Sequence, residues 1–206
     1  LANSVAVGYQ AGQTSQGTNC VAVGRDSGQT TQGNNSVAIG EEAGKTKQQL
    51  NCVSIGYQSG LTTQGNNSVS IGTLAGQTTQ NINSVCIGYN SGNASQGQSA
   101  VAIGRDSGAT GQGEFSVAVG RNAGSASLGQ NAIAIGYNAS SGSSVANSIA
   151  INASGVALNP AFAGLYINPI RNVTQTTVLG VNVATNEVTY YATPGGITTA
   201  STDLLY

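Results

Sequence analysis

Asn3-Ser4-Val5-Ala6-Val7-Gly8, Asn19-Cys20-Val21-Ala22-Val23-Gly24 and Asn35-Ser36-Val37-Ala38-Ile39-Gly40 are one phrase repeated at a spacing of sixteen residues. It returns without insertion or deletion at Asn51, Asn67, Asn83, Ser99, Phe115 and Asn131, and a tenth copy starting at Asn147 decays. A strict short period in a glycine-rich chain marks a solenoid, in which each unit forms one coil and stacks on the next. With the places of a unit numbered one to sixteen, Val or Ile at three and five flanks a small residue at four. That period of two predicts a strand. Glycine holds place six in Gly8, Gly24, Gly40, Gly56, Gly72, Gly88, Gly104, Gly120 and Gly136, and place ten from Gly12 to Gly124. These are turn positions, where Cβ is excluded or φ is positive. Asn152 replaces the sixth-place glycine in the tenth unit and reads as a left-handed substitute. A second, more polar strand follows, as in Gln77-Thr78-Thr79-Gln80.

Composition narrows the function. The 206 residues include 30 Gly, six Lys+Arg, seven Asp+Glu and no His. A chain so poor in general bases and metal ligands excludes ordinary enzymes and leaves no basis for a cofactor or metal. A net charge of −1 offers nothing to nucleic acid or anionic lipid, and no stretch calls for membrane insertion. Helix fails because each internal Gly costs about 1 kcal/mol against Ala; collagen fails because Gly is not at every third place. Cys20, Cys52 and Cys86 lack CxxC spacing and read as substitutions for Ser or Ala, free within the chain. Leu1 and the stretch from Ser201 to Tyr206 read as the ends of a piece of a longer polypeptide.

Stacking turns each place into a ladder. The apolar one comprises Val5, Val7, Val21, Val23, Val37, Ile39, Val53, Ile55, Val69, Ile71, Val85, Ile87, Val101, Ile103, Val117, Val119, Ile133 and Ile135. It faces away from the small fourth-place residues, and the polar second strand has nothing large to set against it. With the small residues inside, the ladder is an external apolar stripe longer than a soluble monomer exposes. The expectation is a closed homo-oligomer, chosen as a trimer.

The N-S-V-A-I/V-G-x-x-A/S-G unit, clearest at Asn35 to Gly40 and Asn67 to Gly72, resembles the head repeat of YadA-like trimeric adhesins. The resemblance covers residues 3 to about 151; Ser99 and Phe115 depart from it at place one. It implies a left-handed parallel β-roll whose three chains share a hydrophobic centre. Further on, Tyr166-Ile167-Asn168-Pro169-Ile170-Arg171 and Glu187-Val188-Thr189-Tyr190-Tyr191 look like a segment that follows such repeats in fibre proteins of phages and large DNA viruses. This likeness ranks a viral fibre above a bacterial adhesin head, whose usual neck, stalk and anchor motifs are not visible. Alternation from Val178 to Tyr191 about an Asn-containing turn predicts a β-hairpin.

Four features are candidate sites. The first is an outward seventh-place column comprising Tyr9, Arg25, Tyr57, Tyr89, Arg105, Arg121 and Tyr137, with Glu41 and Thr73 between; Tyr and Arg are interface residues that also stack on sugars. The favoured reading is a solubilising rim, since isolated exposed aromatics need no explanation. Gly40 to Thr46 imitates a P-loop but has three residues between its glycines instead of four. Thr14, Thr30, Thr46, Thr62 and Thr78 raise an ice-binding array, which Lys47, Ala94, Gly111 and Ala126 interrupt; neighbours such as Thr30 and Thr31 are expected on opposite faces. Asn34, Asn66, Asn93, Asn138, Asn152 and Asn172 open N-x-S/T sequons.

The sequence thus reads as an all-β, homotrimeric parallel β-solenoid of 16-residue coils over residues 1–152. Residues 153–206 form a non-repeat β segment whose hairpin caps and closes the trimer. The function is a non-enzymatic viral surface or tail fibre on a virion or otherwise extracellular, partnered by itself and by a host-cell surface protein or glycan. A bacterial adhesin head is the alternative and an ice-binding solenoid a minor one.

Overall fold

The structure, a computed structural model, describes residues 3–170, 177–182, 184–185 and 187–192. In chain order the strands are β1 (Val5–Val7), β2 (Val21–Val23), β3 (Thr31–Gln32), β4 (Val37–Ile39), β5 (Lys47–Gln48), β6 (Val53–Ile55), β7 (Thr63–Gln64), β8 (Val69–Ile71) and β9 (Thr79–Gln80). They continue as β10 (Val85–Ile87), β11 (Ser95–Gln96), β12 (Val101–Ile103), β13 (Val117–Val119), β14 (Ile133–Ile135), β15 (Ser148–Asn152), β16 (Gly164–Asn168), β17 (Thr177–Asn182) and β18 (Glu187–Ala192). There is no helix among the described residues. The protein is all-β, and its parallel strands form a β-solenoid.

One sheet of eleven strands holds β1, β2, β4, β6, β8, β10 and β12 to β16 in that order, and a second of five holds β3, β5, β7, β9 and β11. Every pairing between two parallel strands joins residues sixteen apart, as Val69 with Val85 and Ile71 with Ile87; the isolated bridge from Ala139 to Leu158 departs from that offset. The sixteen-residue period is therefore the hydrogen-bonding register itself. At about 4.8 Å per coil, equivalent side chains stand directly over one another.

The interior is narrow and mostly polar. From one side come the fourth-place residues Ala22, Ala38, Ser54, Ser70, Cys86, Ala102, Ala118 and Ala134, all 0% exposed. From the other come Gln16, Gln32, Gln48, Gln64, Gln80, Gln96 and Gln112, all buried. Each amide crosses the coil: Gln64 Nε2 donates to the Val53 carbonyl at 2.9 Å and to Ser68 at 3.2 Å, while its Oε1 accepts from Ser54 Oγ at 2.7 Å. Leu128 takes the glutamine place one coil later, and the interior there turns apolar, with Ala118, Ala123, Ala132, Ala134, Ala139 and Ala150 around it. The three cysteines are buried and free. Cys20 and Cys52 stand in the second place, where their thiols donate to carbonyls at 3.0 Å as Ser36 does at 2.8 Å.

Two expectations change. The sequence boundary at 152 falls inside the solenoid, because β16 pairs in parallel with β15 at the same sixteen-residue offset. Leu165 and Ile167 occupy the apolar places and Asn168 lies beneath Asn152; the irregular Asn159-Pro160-Ala161-Phe162 turn hides this coil from a pattern search. The compact unit runs to Pro169. In this last coil Tyr166 takes the inward fourth place, next to Ala150. The second change concerns Asn152, which is not among the residues with positive φ. It is buried, and its amide donates to the Tyr137 carbonyl at 2.8 Å and to Val156 at 2.6 Å. Sixth-place glycine answers mainly to packing: a Cβ on Gly72, at φ +125, would meet the Gly88 carbonyl oxygen at 2.6 Å.

A second compact unit spans residues 170–206. Its described part is the expected hairpin, with β17 antiparallel to β18 and Val181 opposite Val188.

Gly72→Ala is expected to lower solenoid stability by about 2 kcal/mol or more, from strain and steric clash together. Gly111→Ala, where a Cβ would meet nothing closer than 3.8 Å, is expected to leave it unchanged or slightly raised. Denaturant midpoints of the two variants, followed by circular dichroism, check the contrast; equal losses contradict it.

Candidate functional site at the turn corners

The corner after the first strand is a tight turn built by residue choice at four places. The ninth-place amide bonds back to the sixth-place carbonyl, as Ala75 to Gly72 at 3.3 Å. Places seven and eight are then the two central residues. Place eight has positive φ in every coil from the first to the ninth, including Gln58 (φ 53), Leu74 (φ 60) and Asn90 (φ 56), as the third residue of a type II turn requires. Place seven, ahead of it, projects from the corner. Tyr9 is 70% exposed, Tyr57 45%, Tyr89 51% and Tyr137 41%, and Arg25, Arg105 and Arg121 are exposed as well. The structure thus assembles the whole seventh-place column on one edge, one residue per coil. The left-handed eighth place was legible only in part: Asp26, Asn90, Asp106, Asn122 and Asn138 favour such a backbone, whereas Gln10, Glu42, Gln58 and Leu74 do not signal it.

Charge along this edge is uneven. Arg25 pairs with Asp26 at 3.0 Å and with Glu41; Lys45 reaches Glu42 at 2.7 Å and Asp26 at 3.6 Å. The Lys45 ammonium, and after it the Gln58 amide, hold the Glu42 carboxyl below its ordinary range, while Glu42 raises Lys45. At the other end Arg105 Nε donates to Asp106 at 2.9 Å, and the Arg121 guanidinium lies 5.4 Å from the centre of the Tyr137 ring. Between Lys47 and Arg105 no residue is charged. Burial raises the thiols of Cys52 and Cys86, which removes them from reactive chemistry at neutral pH.

The remaining candidates separate. Gly40 and Gly44 occupy the same turn places as the other glycines, and Lys45 is ion-paired, so nothing there presents a phosphate cradle. Thr30 and Thr31 are both exposed, against the expectation of opposite faces. The second strand begins only at Thr31, so Thr30 lies at a corner where alternation does not operate. Lys47, Ala94, Gly111 and Ala126 still break that array. Of the sequons, Asn34 is exposed and its Oδ1 accepts the Thr18 amide at 2.9 Å. Asn93 and Asn152 use their amide nitrogens internally, and Asn172 lies outside the described residues. No group of three or more His, Cys, Asp or Glu able to hold a metal ion occurs among the described residues.

Set against known families, residues 95–123 and 127–151 match the YadA head domain repeat in two copies. The chain carries YadA-like head repeats. No curated protein and no solved structure matches it. The matched residues contain β11 to β14 and most of β15, and β12 to β15 run in one register with the strands before them. The YadA head is a structural adhesin family, and the matched coils are similar to its repeat. No helix among the described residues is long and apolar enough to cross a membrane.

Glu42, whose pKa is lowered in the fold, stabilises above its unfolded value of about 4.3, and that contribution is lost as pH falls through the lower folded value. Acidification below about pH 4 is expected to reduce the melting temperature of the natural chain slightly more than that of Glu42→Gln. The gap stays small because surface pairs contribute roughly 0–1 kcal/mol. Parallel pH-dependent melts check it, and identical curves would deny the pair a role.

Proposed function

We propose that this chain is a shaft or head segment of a homotrimeric, non-enzymatic viral surface fibre, projecting from the particle and attaching it to a host-cell protein or glycan. The observation that supports this reading is the apolar stripe. Ile39 and Ile103 are 37% exposed, Ile135 41%, Ile151 40% and Leu165 56%, and the stripe runs the length of an eleven-stranded sheet. Among the described residues of the solenoid nothing covers it, and an apolar column of that length calls for partners. Because every coil repeats the same outward pair, identical chains related by rotation about the stripe cover it equally. The hairpin unit is proposed to help close the trimer.

The match to the YadA head repeat favours a second reading, the head of a bacterial trimeric autotransporter adhesin. Immunogold labelling with an antibody to the solenoid separates the two. Labelled particles support the fibre, and a labelled cell envelope the adhesin.

The trimer has its own test. Ile71→Asp and Ile103→Asp each place a charge in the shared centre, where an unpaired charge is costly. Both are expected to dissociate or unfold the assembly in sedimentation velocity. A folded, soluble monomer of the natural chain would overturn the proposal.

A further inference from the structure

We propose that Tyr57, Thr73 and Tyr89 form a slot for one neutral hexose ring of a host-surface glycan; the inference rests on the attachment reading and names its ligand class. The three residues occupy the seventh place of consecutive coils, tied by the Leu74 amide to the Tyr57 carbonyl and the Asn90 amide to the Thr73 carbonyl, each at 2.9 Å. Two coil steps separate the tyrosine backbones by about 9.6 Å. A ring held between two aromatic faces needs two contacts of about 3.5–4 Å, and the short threonine leaves that space open. Tyr57 and Tyr89, about half exposed, keep apolar faces and hydroxyl tips in reach of a ligand.

The surroundings select the ligand. Amides of the adjoining eighth and eleventh places form a relay: Asn93 Nδ2 donates to Gln77 Oε1 at 3.1 Å, Gln77 Nε2 to Gln58 Oε1 at 2.8 Å, and Gln58 Nε2 to Glu42 Oε2 at 2.7 Å. Beside Tyr89, Asn90 Nδ2 donates to Asp106 Oδ1 at 2.8 Å. Each amide nitrogen carries two hydrogens and each amide oxygen two lone pairs, so these oriented groups keep capacity for sugar hydroxyls, which both donate and accept. The charged residues that bound the slot are already paired, Glu41 with Arg25 and Arg105 with Asp106 at 2.9 Å, which leaves no unpaired cation there among the described residues for a sialic acid or sulfate. Tyr9 and Tyr137, like Tyr89, each adjoin an arginine on the column, and Arg121 lies over Tyr137, but neither has a second tyrosine two coils away. Only the Tyr57–Thr73–Tyr89 triplet pairs two tyrosines across one short neutral residue. An exposed slot of this kind binds weakly alone, and repetition in an oligomer multiplies its avidity.

The test applies the fluorescently labelled chain, in the oligomeric state it adopts, to an array of neutral, sialylated and sulfated oligosaccharides, followed by titration of the hits. The expected result is retention of neutral hexose-containing glycans that added salt does not weaken. Tyr57→Ala and Tyr89→Ala should each reduce binding about tenfold. Thr73→Tyr should reduce it as much by filling the slot. The column already carries tyrosine at other coils, so this variant folds, and sedimentation confirms an unchanged assembly. Binding confined to anionic glycans, no glycan binding, or neutral binding unchanged in Thr73→Tyr would each overturn the slot. Cell adhesion that survives enzymatic deglycosylation would also overturn it and leave attachment standing. Failure to adhere to any cell, with sugar binding intact, would instead sink the attachment reading alone.

Discussion

In each of the first seven coils a glutamine amide crosses the interior to the backbone of the opposite strand, and this one contact sets the width of the solenoid. Gln64 donates to Val53 and Ser68 and accepts from Ser54; Gln80 does the same with Val69, Ser84 and Ser70. A side chain of that length leaves room on the other side only for Ala, Ser or Cys. Each such hydrogen bond has a net value of about 1 kcal/mol, yet removing one partner would strand buried carbonyls at a cost of about 1–3 kcal/mol. The ladder therefore specifies the coil more strongly than it stabilises it.

A polar, narrow interior has a direct consequence outside. Little apolar surface is buried within the chain, so the Val and Ile of places three and five are turned outward, where they contribute fully only if another surface covers them. The residues of this column are partly exposed, Ile39 and Ile103 by 37%, so covering each contributes a fraction of the roughly 1.5–3 kcal/mol of a fully buried side chain; repeated along the column, these fractions add to a driving force for association. Fold and assembly are two aspects of one choice of residues.

The turn corners depend on the same spacing. Because sixth-place glycines lie almost against the next coil's backbone, the coil can reverse at once, and the seventh residue is left projecting. Its identity is free to vary without cost to the core. Tyr, Arg, Glu and Thr therefore share one column, and ligand chemistry can be written there while the scaffold stays fixed.

The sequence by itself determined the period, the strand at places three to five, the outward apolar stripe and the hairpin, because stacking in register maps each place onto one environment. It did not reveal that the glutamines are interior, since a polar residue in a polar strand reads as solvent-facing until its partners across the coil are in view. Nor did it reveal that Asn152 needs no left-handed backbone, that Thr30 and Thr31 are both exposed, or that Leu165 to Asn168 add an eleventh strand. These depend on where the chain turns and on what the neighbouring coil places beside each residue. Such contacts join residues ten to sixteen positions apart, and only tertiary structure brings them together.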